Sequence, residues 1–177
     1  VSAAINKYMY IVIHPYFHDQ IRIKYSKTED VATAEEVQHP IVRECLKKVK
    51  LAKGVEIASF ADVSAGSGLG SSSAFTVCLL HALYAYKGEN VSKERLAQEA
   101  CEVEIDILGE PIGKQDQYSA AYGGINYFKF NKDETVEVCP IELKVSTQKK
   151  MQDSLCLYYI SGERRARDIL NLLSNYS

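Results

Sequence analysis

The stretch from Ala65 to Phe75 reads AGSGLGSSSAF, and its residue types suggest anion binding. It alternates glycines with other residues and then carries serines where a helix is expected to start. Backbone N–H groups at a helix start have no intrahelical partner and lie at the positive end of the helix dipole. Glycines let a phosphate approach those groups closely. The predicted phosphate-binding residues are Gly66, Ser67, Gly68, Leu69, Gly70, Ser71, Ser72 and Ser73.

Other interpretations of this loop compete with phosphate binding. A P-loop needs a lysine just before its serine, and this stretch has none. A dinucleotide-binding loop needs the spacing G-x-G-x-x-G, which is not the spacing here. A turn with a capping serine explains the composition about equally well.

A second dense stretch, EIDILGEPIGKQDQYSAAYGG, holds the other candidates for chemistry. Glu104 stands near the end of a predicted helix, and Asp116 follows a turn rich in glycine. Taken singly, Glu104 is most simply a solvated helix carboxylate and Asp116 a turn residue. Taken singly, neither residue gives a sign that it belongs to the same site as the glycine–serine loop.

Together the two stretches resemble the GHMP kinase superfamily, which includes galactokinase, homoserine kinase, mevalonate kinase and phosphomevalonate kinase. AGSGLGSSSAF is similar to its central glycine–serine motif. The pattern E-x-x-x-x-G-x-P-x-G-x-x-D-Q, from Glu104 to Gln117, resembles the region with the magnesium glutamate and the catalytic aspartate. GKQDQYSAAYGGINYFKF, INKY, IRIKYS and HPIVRECL resemble the D-glycero-D-manno-heptose phosphate kinases within that superfamily.

The resemblance implies an ATP-dependent sugar kinase acting on a heptose phosphate, with ATP and Mg²⁺ as cofactors. The loop would hold the ATP phosphates, and Ser72 or Ser71 would share Mg²⁺ with Glu104. Asp116 would accept the proton of the attacking hydroxyl or orient that hydroxyl. Lys114 would neutralise developing charge or bind a substrate phosphate, and a surface lysine is an equal alternative.

The resemblance also implies a two-domain α+β fold. Residues 1–145 would form the N-terminal, ATP-binding domain without its first strand, and residues 146–177 the start of a truncated C-terminal domain. A homodimer is a further expectation. The segment SGERRARDIL is more basic than its counterpart in the family, so the arginine that contacts substrate stays open among Arg164, Arg165 and Arg167.

Patterns along the chain predict the elements that would position these residues. Strands are expected in INKYMYIVIHPYF, QIRIKYS and GVEIASFADVS, a hairpin in GGINYFKF and ETVEVCPI, and a further strand in LCLYYIS. Helices are expected in HPIVRECLKKVK, in SSSAFTVCLLHALYAYKG and in RRARDILNLLSN. Another helix, VSKERLAQEACEVEIDILG, is expected to start at Ser92 and to bury Leu96, Ala100, Val103 and Ile107. Mixed rather than alternating strands and helices indicate the α+β class.

The bulk composition excludes several classes of function. The chain has 177 residues, 46% hydrophobic and 25% charged, with a net charge of -2. This balance gives no electrostatic argument for nucleic acid or membrane binding. The 5 cysteines have no metal-ligand spacing, which favours reduced thiols and a cytoplasmic location.

Three alternatives stand beside the heptose phosphate kinase. One is another GHMP kinase acting on fucose, galactose or a similar small alcohol. The second is the dinucleotide-binding domain of an oxidoreductase, which predicts a parallel sheet. The third is a binding module without catalysis, in which Glu104 and Asp116 would lie far apart and unrelated to the loop.

Overall fold

The computed structural model describes residues 1–158 and contains two sheets and five α-helices in that range. The strands are β1 (Ser2–Ala3), β2 (Met9–Pro15), β3 (Ile21–Lys24), β4 (Thr28–Val31), β5 (Val55–Ala61), β6 (Ile125–Phe130) and β7 (Val136–Pro140). The helices are α1 (Pro40–Val49), α2 (Ser71–Tyr86), α3 (Lys93–Cys101), α4 (Gln115–Tyr122) and α5 (Val145–Asp153). A short 3₁₀ helix covers Ala34–Glu36, and a π-helical segment, Glu102–Ile107, directly continues α3. The α+β prediction is confirmed.

The sheets are mainly antiparallel. The larger sheet has the order β2-β5-β3-β4, and the smaller one has the order β1-β6-β7. Among the described strands, β3 and β5 are the one parallel pair, with Ile23 opposite Ile57. The dinucleotide-binding alternative required a parallel sheet, so this topology argues against it.

Helix α2 is the central element of the core. It packs against β2, α1, α3 and α4 and buries residues on several sides, as its nearly continuous apolar sequence predicts. Leu79, Leu80 and Leu83 have no exposed surface. The N-terminus of α2, where the glycine–serine loop ends, is therefore held by the rest of the domain.

Glu29 anchors the start of α1. Its carboxylate is 8% exposed and accepts hydrogen bonds from Gln38 N–H (2.6 Å), His39 N–H (3.2 Å) and the Tyr25 hydroxyl (2.8 Å). Burial acts to raise the pKa of this carboxyl, but the hydrogen bonds outweigh it and the pKa is lowered. The ionised form of Glu29 thus stabilises the folded chain.

Helix α3 begins as predicted but ends differently. Arg95 N–H donates to Ser92 Oγ at 3.1 Å, which confirms the predicted N-cap. Leu96 and Ala100 are buried as expected, whereas Ile107 is 48% exposed and its predicted burial is wrong. The cause is the π-helical segment, which contains more residues per turn than the assumed α-helical period.

Most remaining element predictions are confirmed, with a few differences. The sequence patterns did not indicate β1, β4, α4 or α5. Residues 155–158 of the predicted strand LCLYYIS are not in a strand, and they have no partner strand in the described range. The rest of that strand, the helix predicted in RRARDILNLLSN and the three candidate arginines lie outside the described residues.

Candidate active site

The glycine–serine loop connects β5 to α2 and uses backbone conformations that favour glycine. Gly66, Gly68 and Gly70 have φ values of 74°, 75° and 70°. Side-chain-bearing residues rarely adopt such φ values. Gly70 is also the N-cap of α2, so no cap side chain accepts from the first N–H groups of the helix. These groups are available to an anion, and phosphate binding by this loop stays a prediction.

The loop carries a buried hydroxyl without a protein partner. Ser67 Oγ is buried and makes no hydrogen bond to any described residue. A buried hydroxyl without a partner is unfavourable unless a ligand or water supplies one. Its position between Gly66 and Gly68 therefore fits a loop that is completed by a ligand.

The structure brings Ser72 and Glu104 together. Ser72 Oγ donates to Glu104 Oε1 at 2.7 Å, although the residues are 32 positions apart in sequence. Ser72 lies in the first turn of α2, while Glu104 lies in the π-helical segment and is 1% exposed. Glu104 is therefore a buried carboxylate facing the helix start, and the solvated-carboxylate interpretation is wrong.

Gln117 completes the surroundings of this carboxylate. Its Nε2 donates to Glu104 Oε2 at 2.6 Å, and its side chain is fully buried. No role for Gln117 was predicted from the sequence, although it closes the motif that begins at Glu104. The sequence signal that could have indicated a role for Gln117 is its position directly after the predicted catalytic aspartate.

Asp116 also lies against the glycine–serine loop. It belongs to the first turn of α4 and is exposed. A Cβ atom at Gly70 would lie 3.2 Å from Asp116 Cγ and 3.3 Å from Oδ2. The absence of a side chain at Gly70 thus allows the Asp116 carboxylate to approach the N-terminus of α2. Both predicted acidic residues converge on one helix start, which contradicts the binding-module alternative.

An open cavity of about 850 Å³ adjoins Asp116 and Gly70. Its walls come from the N-terminal segment, α2, α3 and α4. Lys7 and Lys93 supply positive charge, and Asp116 is the one carboxylate among the described lining residues. Lys93 Nζ donates to Tyr122 O at 2.8 Å, whereas Lys7 has no side-chain hydrogen bond or ion pair within residues 1–158. Most of the lining is apolar, and the two lysines give the cavity cations that can pair with an anionic group of a bound molecule.

Lys114 lies outside this cavity. It forms an ion pair with Glu134, in the turn between β6 and β7, and lines a separate, smaller pocket. The hydrogen bond to Glu134 raises the pKa of Lys114. These surroundings favour a surface ion pair for Lys114, and its role in catalysis stays a prediction.

The described part of the chain has no metal site formed by three or more protein ligands. There, no three His, Cys, Asp or Glu side chains cluster as ligands for one ion. The donors near the loop are one carboxylate, from Glu104, and one hydroxyl, from Ser72. These are hard oxygen ligands, and Mg²⁺ needs few of them because it retains waters and binds phosphates.

Sequence comparison identifies the family. Residues 36–124, about half of the chain, match the GHMP kinases N terminal domain. This chain belongs to the GHMP kinases. The matched range contains the glycine–serine loop, Glu104 and Asp116. None of the helices that the structure describes is long and apolar enough to cross a membrane.

Individual GHMP kinases are similar to this chain over part of their length. The D-glycero-alpha-D-manno-heptose 7-phosphate kinase of Campylobacter jejuni is 33% identical over 111 residues, which are 63% of this chain and 33% of that relative. The galactokinase of Thermotoga maritima is 33% identical over 91 residues, which are 51% of this chain and 26% of that relative. This GHMP kinase chain therefore aligns with a third or less of these curated relatives.

The fold comparison agrees with the family assignment. A crystal structure of a D-glycero-D-manno-heptose 1-phosphate kinase from B. thetaiotaomicron superimposes with a TM-score of 0.73 at 30% identity. The superposition covers 80% of this chain and 50% of that structure. The superimposed part of this GHMP kinase thus corresponds to about half of a solved heptose phosphate kinase. The family match ends inside the predicted N-terminal domain, and the domain boundary near residue 145 stays a prediction.

Proposed function

We propose that this chain is the nucleotide-binding part of a sugar kinase. The reaction is transfer of the γ-phosphate of ATP to a hydroxyl of a D-glycero-D-manno-heptose phosphate. The family and two similar heptose phosphate kinases support this proposal. The observation that carries it is the convergence of Ser72, Glu104 and Asp116 on one helix start.

In this proposal the loop from Gly66 to Ser73 binds the phosphates of ATP. The first N–H groups of α2 have no cap side chain, and the helix dipole favours negative charge there. The positive φ values of the glycines shape the loop around the anion. Ser67 Oγ, buried without a described partner, would gain one when the phosphates bind.

Ser72 and Glu104 would hold Mg²⁺, and their oxygen donors fit its ligand preference. When bound, Mg²⁺ offsets the negative charge of the phosphates during transfer. Glu104 is held in a buried position, so its orientation does not depend on solvent. The hydroxyl of Ser72 already points at the same carboxylate, and it would turn its lone pairs toward the metal instead.

Asp116 would act on the acceptor hydroxyl. Asp116 lines the cavity and its carboxylate lies next to the loop, so it would stand between the two substrates of the proposed reaction. There it can accept the hydroxyl proton, or orient that hydroxyl toward the phosphate. The acceptor would lie in the cavity, where Lys7 is free to bind its phosphate group. Lys7 therefore takes the phosphate-binding role that the sequence assigned to Lys114, because Lys114 is paired with Glu134.

The test measures Mg·ATP-dependent phosphate transfer by an intact enzyme that contains this chain, with D-glycero-D-manno-heptose phosphate, galactose and mevalonate as parallel acceptors. Galactose is included because of the similarity to the Thermotoga galactokinase. We expect transfer to the heptose phosphate in preference to the other two. Preferential transfer to galactose or mevalonate would reject the proposed substrate. A failure of Mg·ADP to bind in calorimetry would reject the kinase site itself.

A further inference from the structure

Glu104 is held at both carboxylate oxygens, by donors from two different helices. Ser72 Oγ on α2 donates to Oε1 at 2.7 Å, and Gln117 Nε2 on α4 donates to Oε2 at 2.6 Å. Glu104 and Gln117 are both buried, with 1% and 0% exposure. An ionised carboxylate only accepts hydrogen bonds, so the NH₂ group of Gln117 has to face it.

The amide oxygen of Gln117, Oε1, shows that packing alone does not explain a glutamine at this position. Gln117 Oε1 is buried and has no hydrogen-bond partner among the described residues. An acceptor left in this state costs stability, and an apolar side chain of similar size would avoid that cost. Within residues 1–158, the one hydrogen bond of the Gln117 side chain is the bond that it donates to Glu104. That bond is what distinguishes glutamine from an apolar residue here.

Gln117 also connects the two halves of the candidate site. It directly follows Asp116 on α4, and Asp116 packs against Gly70 at the start of α2. One helix thus places a carboxylate beside the loop and a donor behind Glu104. With Oε2 held by Gln117, rotation of the Glu104 carboxylate is restricted and Oε1 stays directed at Ser72.

We propose that Gln117 is a positioning residue that holds Glu104 in its metal-binding orientation, an inference that rests on the proposed function. In this proposal Gln117 acts on the metal ligand Glu104 and not on the metal itself. Residues that hydrogen-bond to a metal ligand typically change metal affinity by about 10–100-fold when they are replaced. The effect should therefore appear in the Mg²⁺ dependence of nucleotide binding.

The experiment compares ADP binding by calorimetry with and without Mg²⁺ in the 177-residue chain and its variants. Gln117→Met keeps an unbranched side chain of similar length but removes the donor. Gln117→Leu removes the donor with a branched apolar side chain, so that the two variants differ in shape but share the loss of the donor. Gln98→Leu is the control, because Gln98 Nε2 also donates to a glutamate, Glu94, but on the exposed surface of α3. Thermal melts establish that each variant folds.

In the wild type we expect Mg²⁺ to increase ADP affinity. In both Gln117 variants this increase should shrink by about tenfold or more, while the affinity for ADP without Mg²⁺ changes by less than about twofold. Gln98→Leu should behave like the wild type. An equal loss with and without Mg²⁺, or an unchanged Mg²⁺ effect in folded variants, would overturn the inference alone. A wild type without any Mg²⁺ effect would instead overturn the proposed function on which it rests.

Discussion

Replacement of Gly70 by alanine should impair turnover more than it impairs folding. The residue has a φ of 70°, and alanine in this left-handed conformation costs about 1–2 kcal/mol. For a chain of this size, each kcal/mol lowers Tm by about 2–4 °C, so the strain predicts a decrease of about 2–8 °C. The new methyl group would also lie 3.2 Å from Asp116 Cγ, which is closer than ordinary van der Waals contact.

The Asp116 carboxylate must then move by a few tenths of an ångström. A displacement of about 1 Å at a reacting centre can cost about 10²-fold in rate, so we expect kcat to fall by about tenfold. Gly88→Ala supplies the control. Gly88 follows α2 at its other end, has a φ of 75° and has nothing within 4 Å of the position that a methyl group would take. The Gly88→Ala substitution therefore imposes similar backbone strain but makes no contact with Asp116.

Thermal melts and kcat at saturating ATP and acceptor separate the two effects. Both variants should lose similar thermal stability, while only Gly70→Ala should lose about tenfold in kcat. Gly68→Ala adds a comparison within the loop, since its methyl group also meets nothing within 4 Å. It should raise the KM for ATP more than it lowers kcat. Equal kcat for Gly70→Ala and Gly88→Ala would refute the contact argument.

Three further perturbations address the acceptor, the base and the fold. Asp116→Asn should lower kcat by about 10²–10⁴-fold and leave the calorimetric affinity for Mg·ADP unchanged, because a general base acts on the acceptor and not on the nucleotide; wild-type kcat in this variant would show that Asp116 is structural. Lys7→Met should raise the KM for the sugar phosphate by about tenfold or more, through loss of a charge-assisted hydrogen bond. A larger KM effect of Lys114→Met would assign the phosphate to Lys114 instead. Glu29→Gln should lower the free energy of unfolding at pH 7 by about 1.5–3 kcal/mol, because the new NH₂ group faces hydrogen-bond donors. Since the pKa of Glu29 is lowered in the folded state, its stabilisation is present above the unfolded pKa of about 4.3 and is lost as the pH falls further. Urea titrations at several pH values should therefore show the difference between wild type and variant disappearing below about pH 4, and a constant difference would contradict this role.

The glycine–serine loop and the helix start that follows it could be predicted from sequence because they depend on neighbouring residues. A phosphate loop needs glycines and a helix start within a few residues, and Ala65 to Phe75 contains both. The nearly continuous apolar sequence after Ser73 correctly indicated the buried central helix α2. The hairpin of β6 and β7 was similarly predictable from two β-rich runs and a polar turn.

The cavity proposed for the acceptor could not be predicted, because it depends on contacts between distant segments. Nothing near Lys7 in the sequence relates it to Asp116, and only the packing of the N-terminal segment against α2 and α4 brings both to one cavity. Lys114, two residues from Asp116, was the more obvious cation. The β6–β7 turn supplies Glu134 as its partner, a pairing that spans 20 residues. The short helix α4 was missed because glycine and proline precede it and its apolar pattern is weak.

The position of Glu104 follows from the π-helical segment that continues α3. An α-helical period from Leu96 predicts that Ala100, Val103 and Ile107 share the buried face. In the structure, Leu108 N–H instead donates to Val103 O, five residues back, at 3.0 Å. This wider turn leaves Val103 and Glu104 both buried and turns Ile107 to the surface. A π-helical turn is rare and is frequently found at functional sites, where it redirects one side chain. Here the side chain so placed is the carboxylate between Ser72 and Gln117, and the exposure of Ile107 is a cost of that placement. The departure from ideal helix geometry and the buried charge thus have one explanation, which is the need to present Glu104 to the start of α2.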